Sequence, residues 1–477
     1  MIDTAAIRNK LIHLAVSGNL VEHDIEDGNA SELVEKLSYE INGSSRREIA
    51  IDEIPYEIPD NWTWCRLSDI GSTNVGLTYH PEDVVIDGIP VLRSNNIKNN
   101  KLIFEDLIKV NCEIREKQYI GESDILICAR NGSKALVGKC AIYRGELGLA
   151  SFGAFMAVYR TQFFEYVYYY FQTKVFRRYF ENENNKQINQ VTQSILKDAI
   201  IPLPPINEQK RIVEKINKVF EQLDIIDDLQ LQYASDLEIL KSKIIDAGIQ
   251  GKLTEQLPED GTVEELLKQI TEEKKALEDA GVYKNKKKVT IKNAILKDDI
   301  FEIPKTWKWV RLGQLADVYG RIGFRGYTKA DLVEAGQGAI SMSPSNITFS
   351  GKVVFESNTY ITWEKYNESP EIKVREGDVL IVKTGSSYGK TAIIEEMPEK
   401  CTINPQLAIL KNILCDRYYL NLYMKSSHAW NQYNSFVVGA ATPTFSQEKL
   451  ANMLIPLPPL NEQARIVSKI NEILELF

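Results

Sequence analysis

An α+β fold of two similar blocks, separated by a pair of long antiparallel helices and related by a pseudo-two-fold internal repeat, is what this sequence predicts. Three observations lead there. Ile201 to Asp224, IPLPPINEQKRIVEKINKVFEQLD, returns 254 residues later as Ile455 to Phe477, IPLPPLNEQARIVSKINEILELF. Ile7 to Leu20, IRNKLIHLAVSGNL, returns at 233 residues as Leu240 to Leu253, LKSKIIDAGIQGKL. The blocks between them, each about 150 residues, carry short apolar runs (DILICA, DVLIVK, KCAIY, TAII) between Gly, Ser and Asn turns. Each block closes with an aromatic-rich helical stretch, Phe164 to Phe180 and Tyr418 to Tyr433.

A repeat of this length organises everything else. EIPDNWTWCRL from Glu57 matches EIPKTWKWVRL from Glu302 at an offset of 245 residues. Arg93-Ser94-Asn95-Asn96-Ile97 meets Ser343-Pro344-Ser345-Asn346-Ile347 at 250, and Asp124 to Ile127 meets Asp378 to Ile381 at 254. A slowly growing offset describes one duplicated unit with loop insertions.

In chain order, residues 1–54 hold a helix ending near Gly18 and a short acidic stretch, and residues 55–205 the first block. Pro202, Pro204 and Pro205 then make a stiff run that fixes φ and withholds donors, and Asn207 is a good N-cap. Glu208 sits in the first turn, where the helix dipole favours it. Behind it Val213, Ile216, Phe220 and Leu223 recur at spacings of three and four, with Ile466, Val467 and Ile470 in the second copy. A seam that narrow requires a partner helix. Residues 206–254 form the central spacer, and an unbroken helix from Glu208 to Ala247 would be about 60 Å long.

Residues 255–300 read as a solvated, charged linker: Glu264 to Ala280 is helical and the basic run Lys284 to Lys288 follows. Residues 301–459 are the second block and 460–477 a shortened helix. By the two offsets Phe477 is equivalent to Leu223 and Met1 to Ala234. The C-terminal helix therefore supplies the first part of a second spacer and the N-terminal segment its last part. Removing Met1 to Leu20 is expected to destabilise the C-terminal half.

Composition narrows the setting. A chain of 477 residues is too long for one ordinary core. No run approaches the roughly 18 apolar residues of a membrane span, and Arg8, Lys10 and His13 spoil the first 20 residues as a signal peptide, so the expected location is cytoplasmic, with no membrane partner. The six cysteines include no CxxC pair and the four histidines are scattered, which favours buried reduced thiols over any metal site. The net charge of −9 argues against the whole surface binding nucleic acid, though not against one local face doing so.

No catalytic residue is identified. Gly385-Ser386-Ser387-Tyr388-Gly389-Lys390-Thr391 has three residues between its glycines where a phosphate-cradling Walker loop needs four. Asn404-Pro405-Gln406 lacks the second proline and the aromatic of an adenine-methyltransferase tetrad, and Leu203-Pro204-Pro205-Ile206 lacks both polar lead and aromatic. A coiled-coil scaffold without sequence-specific DNA reading is the alternative of a different class, and an enzyme with an unrecognised site is a third.

The doubled PLPPxNEQxRIVxKI motif, the xxGxL segment ending each helix, and the Trp-x-Trp-x-Arg-Leu lead-in to each block resemble the specificity (S, HsdS) subunits of type I restriction-modification systems. The resemblance spans nearly the full chain, and Gly320 to Leu332 (GRIGFRGYTKADL) resembles one recurring version of the family's second block. It implies two target recognition domains, residues 55–205 and 301–459, each reading one half of an asymmetric bipartite site on double-stranded DNA. The conserved helices hold them apart and dock two modification (methyltransferase) subunits, and restriction (endonuclease/translocase) subunits join these. Base flipping and methyl transfer then belong to partners. No cofactor is expected on this chain; S-adenosylmethionine, ATP and Mg are expected on the partner subunits.

With that resemblance, the loops after the Asp-x-Leu-Ile strands are the first candidates for DNA contact. One offers Arg130, Asn131, Ser133, Lys134 and Lys139; the other offers Lys383, Thr384, Ser386, Ser387, Tyr388 and Lys390. Arg and Lys suit guanine O6/N7, and Asn suits adenine. The turns holding Arg93, Ser94 and Asn96, and Ser345 and Asn346, come next, with Arg321 and Arg325. Trp62, Trp64, Trp307 and Trp309 are read as core before base-stacking platforms. The exposed flank holding Gln209 and Arg211 is a candidate surface for the modification subunit. The chain alone is expected to bind DNA weakly.

Overall fold

Two tryptophan strands and the two proline motifs fasten the ends of the blocks. Thr63–Arg66 pairs antiparallel with Ile200–Leu203, placing Trp64 opposite Pro202. Lys308–Arg311 pairs with Leu454–Leu457, placing Trp309 opposite Pro456. The proline run is thus partly a strand, tolerated because a two-stranded ladder leaves one side of each strand unpaired. The computed structural model describes residues 1–181, 190–280, 291, 301–321, 326–439 and 442–477. It divides into two compact units, Met1–Leu231 and Gln232–Phe477.

Unit 1 contains an antiparallel sheet whose order is Cys140–Ile142, Ile125–Cys128, Met156–Arg160, Ser72–Val75. Unit 2 repeats it as Thr391–Ile393, Val379–Val382, Leu407–Lys411, Asp317–Gly320. The central strands are buried on both faces, which is why DILICA and DVLIVK read as continuous apolar runs instead of alternating ones. Ile125, Ile127, Ala157 and Tyr159 face the core built on the aromatic helices. Leu126, Cys128, Met156 and Val158 face a second core. The same alternation divides Val379, Ile381, Ala408 and Leu410 from Leu380, Val382, Leu407 and Ile409.

Each second core is covered by a further sheet containing one parallel pair, Ile89–Leu92 with Ala150–Phe152 in unit 1 and Gly338–Met342 with Cys401–Ile403 in unit 2. The aromatic stretches break into two helices each, Phe164–Phe171 and Lys174–Arg177, and Arg417–Lys425 and Ser427–Phe436, where Thr173 and Ser426 cap the second helix. Their tyrosines hold the proline strands: the hydroxyls of Tyr166 and Tyr419 donate to the carbonyls of Pro202 and Pro456 at 2.7 and 2.6 Å.

The central helix runs unbroken over Ile206–Ile249, 44 residues, or about 66 Å. Within unit 1, the N-terminal helix Thr4–Val16 lies antiparallel along its first part. Arg8 bridges Asp224 and Asp227 at 2.8 and 2.9 Å, its guanidinium lies 4.9 Å from the Phe220 ring centre, and Thr4 bonds Asp227. Within unit 2, the C-terminal helix Leu460–Leu474 runs along the last part, so close to Gly248 that a Cβ there would collide with Ile470. Val213, Ile216, Leu223, Ile466 and Ile470 are buried, and Phe220 and Val467 are half-buried.

Three expectations change. Asn207 falls inside the first helical turn, and Gln209 is buried, donating its side-chain amide to the Pro204 carbonyl at 2.8 Å. Residues 263–279 are not a solvated linker: Val263, Leu266 and Ile270 of the helix Val263–Asp279 are buried in the unit 2 core. That helix is the second copy of Ala30–Asn42, which buries Ala30 and Val34; its charged majority hides a stripe of three apolar residues. The run Lys284 to Lys288 lies outside the described residues. Thirdly, Met1 to Leu20 packs inside unit 1. Removing it is now expected to lower the unfolding midpoint of unit 1, read by hydrogen exchange in Ile206 to Asp227, with the protection of Leu460–Leu474 unchanged. Among the described residues no helix is long and apolar enough to cross a membrane.

Candidate nucleic-acid interface

One set of polar anchors recurs where each block joins its proline-led helix. Glu208 is fully buried and accepts hydrogen bonds from Trp62 Nε1 (2.9 Å) and Asn61 Nδ2 (3.2 Å), with His23 Nδ1 at 2.7 Å. Glu462 is equally buried and accepts from Trp307 Nε1 (2.8 Å), Gln256 Nε2 (2.9 Å) and Thr254 Oγ1 (3.2 Å). Trp62 and Trp307 are therefore core, holding the block to the helix; Trp64 is buried too, and none of the three offers a face for base stacking. Arg211 pairs with Asp27 at 2.7 Å and Arg465 with Asp260. Each guanidinium, hydrogen-bonded to its carboxylate, holds that carboxyl below the usual range. Arg211 is thus engaged within unit 1.

Three segments converge in unit 1. The strand Ile89–Leu92 leads into the turn of Arg93 to Asn96, and Ile125–Cys128 leads into the loop of Arg130 to Lys134. The tip Gly153 to Phe155 joins the two sheets, with Gly153 donating to the Leu92 carbonyl at 3.0 Å. Asn131 ties the loop to the turn, donating to Ser94 Oγ at 3.1 Å while accepting from the Ser133 backbone at 2.9 Å. Arg130, Ser133 and Lys134 are exposed, and Ser94 and Lys139 half-exposed. Arg93 is partly turned back on Asp106.

Unit 2 builds the same junction with different residues. Lys390 ties its loop to the Ser343 to Asn346 turn, donating from Nζ to the carbonyls of Pro344 (3.1 Å) and Ile347 (2.7 Å). Burial lowers the Lys383 and Lys390 ammonium groups below their ordinary range. Thr384 Oγ1 lies 2.7 Å from Thr444 Oγ1, and Tyr388 donates its hydroxyl to Asn434 at 2.9 Å. Ser345 and Ser386 are exposed and Ser387 half-exposed. The Gly385 to Lys390 run closes a turn between two antiparallel strands, whereas a phosphate-cradling loop leads from a strand into a helix.

Three sequence candidates differ from expectation. Asn96 and Asn346 are buried, each accepting from a backbone N–H of its own turn at 2.9 Å and donating to carbonyls across it. Their amides serve the turn, a use Asn finds as readily as base reading. Arg321 is buried as well. Its Nε donates to the Ile403 carbonyl at 2.9 Å, and burial lowers its pKa. Arg325 lies outside the described residues.

Sequence comparison fits this doubled arrangement. The type I restriction modification DNA specificity domain matches residues 59–232 and again 304–476. The chain belongs to that family. Its two matched stretches are two DNA-specificity domains. The specificity-family chain is 24% identical to the type I restriction enzyme EcoAI specificity subunit of Escherichia coli, over 98% of this chain and 88% of that protein. It is 29% identical to the EcoKI specificity subunit of E. coli K12 over 42% of this chain and 45% of that one. A solved chain from work on complex assembly and conformational transition of the type I R-M system shares the fold at a TM-score of 0.57 and 19% identity, covering 88% of this chain and 92% of that one.

Proposed function

We propose that the two loop junctions are the DNA-reading surfaces and that each reads one half of an asymmetric, gapped target. The observation that carries this is the pairing itself: one scaffold, built twice, presents the same three segments with different side chains. Equal platforms imply equal placement on DNA, and unequal loops imply unequal half-sites. Two such readers carried by one chain meet a duplex at two half-sites, as two-fold DNA readers do. In this reading Arg130, Ser133, Lys134, Ser345, Ser386 and Ser387 meet bases or phosphate, while Asn131, Lys390 and Thr384 shape the loops.

The chain itself carries no chemistry in this reading. Two modification subunits dock along the helices and bring S-adenosylmethionine; restriction subunits bring ATP and Mg, all in the cytoplasm. Footprinting of DNA with the modification subunit present tests the assignment. One protected two-part sequence is expected, and exchange of residues 301–459 for another block changes one half of it alone. Protection independent of sequence, or a change in both halves, overturns it.

A further inference from the structure

The last strand of the central sheet starts at Met156 in unit 1 and at Leu407 in unit 2, and the register makes them equivalent: Met156 lies opposite Cys128, and Leu407 opposite Val382. The residues just before them, Phe155 and Gln406, therefore occupy one structural position at an offset of 251 that no motif reveals. Their tips are built alike. Met156 N donates to the Gly153 carbonyl at 2.8 Å, and Leu407 N to the Asn404 carbonyl at 3.2 Å. The Phe155 carbonyl accepts from Ala129 N and Arg130 N, both at 3.0 Å, and the Gln406 carbonyl from Lys383 N at 2.8 Å. The backbone of the cationic loop is thus clamped to the tip in both units, so both side chains stand beside that loop.

Both side chains point outward. The Phe155 ring is 64% exposed with the Arg130 guanidinium 5.9 Å from its centre. Gln406 is exposed, and its Oε1 accepts from Asn404 Nδ2 at 3.1 Å, leaving Nε2 without a protein partner among the described residues. At 64% exposure most of the Phe155 ring is free of the core and open to a ligand beside the Arg130 cation. A base edge uses both groups: aromatic and apolar side chains meet the thymine methyl, and a side-chain amide meets adenine N6 and N7.

We propose that positions 155 and 406 are a matched pair of base-contacting positions, one in each half-site, Phe155 against a thymine methyl and Gln406 against an adenine edge. This rests on the DNA-reading assignment of the two junctions and adds which side chains set one base of each half.

The test is methylation of a randomised duplex library by the full chain with its modification subunit and S-adenosylmethionine, comparing wild type, Phe155→Ala and Gln406→Ala. Gln406→Ala is expected to relax discrimination at one position of one half-site by about 10- to 100-fold. Phe155→Ala is expected to lower a thymine preference in the other half by at least about fivefold. Two-part motifs unchanged in both variants overturn the proposal while leaving the junction assignment standing; a wild type without a two-part motif overturns the assignment itself. Should a variant methylate nothing, wild-type complex is irradiated on target DNA carrying 5-iodouracil at each thymine in turn. A crosslink at Phe155 supports the proposal. Crosslinks confined to other residues, or a Phe155 crosslink only to the modification subunit under a general photo-crosslinker, sink it.

Discussion

Glu208→Ala is expected to destabilise unit 1 by about 3–5 kcal/mol, among the largest losses available to a single substitution in this chain. Three groups converge on that carboxylate, Trp62 Nε1, Asn61 Nδ2 and His23 Nδ1, each on a different stretch of unit 1 from the helix that carries Glu208. Truncation leaves the buried Trp62 Nε1 with nothing to bond, and an unmet buried polar group costs its full desolvation. It also opens a cavity at the helix start. Glu208→Gln keeps one carbonyl acceptor and is expected to lose only about 1–2 kcal/mol. Urea unfolding read by Trp fluorescence, with hydrogen exchange in Asn61 to Arg66, checks both. A Glu208→Ala chain within about 1 kcal/mol of wild type would show that the carboxylate merely fills space. Glu462→Ala should reproduce the loss in unit 2, where Trp307, Gln256 and Thr254 are its partners.

That carboxylate also marks the boundary of what the amino-acid sequence discloses. The duplicated spine is legible because its residues do jobs no others can. Gly18 and Gly251 hold φ of +75° and +71° with a proline ring packed where a Cβ would stand. Trp62 and Trp307 each donate to a buried glutamate, and Arg211 and Arg465 each grip an aspartate. Where a position needs only a strand register or a hydrogen-bonding group, identity drifts and the eye loses it. His23 and Gln256 fill one place beside the two glutamates, and Phe155 and Gln406 share one tip. The candidate loops were legible as places but not as side chains. Asn96 and Asn346 look like base readers because Asn is common at both DNA edges and turn caps, and only their burial separates the two uses. The helix Val263–Asp279 was legible but its burial was not, because three buried residues among so many charges leave a weak pattern.

The strand pair Asp378–Lys411 carries the other large effect, and it depends on pH. Lys411 Nζ lies 2.8 Å from Asp378 Oδ2 and donates to the Lys373 carbonyl at 2.6 Å, and the two side chains are only 8% and 9% exposed. In unit 1 Arg160 makes the equivalent bond to Asp124 at 2.9 Å, but at 28% exposure it is better solvated. Burial raises the Asp378 carboxyl above its ordinary value in spite of Lys411. Lys411→Met keeps the stem and removes the charge, so the carboxyl must rise further. The sign follows from linkage: well below about pH 4, Asp378 is protonated folded or unfolded and ionisation adds no penalty. As pH climbs past that, the unfolded carboxylate ionises while the folded one resists, and stability is lost until the folded pKa is passed. Lys411→Met should therefore cost about 3–5 kcal/mol near pH 7.5, and clearly less at pH 5. Urea unfolding of both proteins at both pH values measures the difference, and Lys411→Met with Asp378→Asn should recover most of it and flatten its pH dependence. A loss equal at the two pH values would mean that the missing Lys373 contact, not the stranded carboxylate, is what the fold feels.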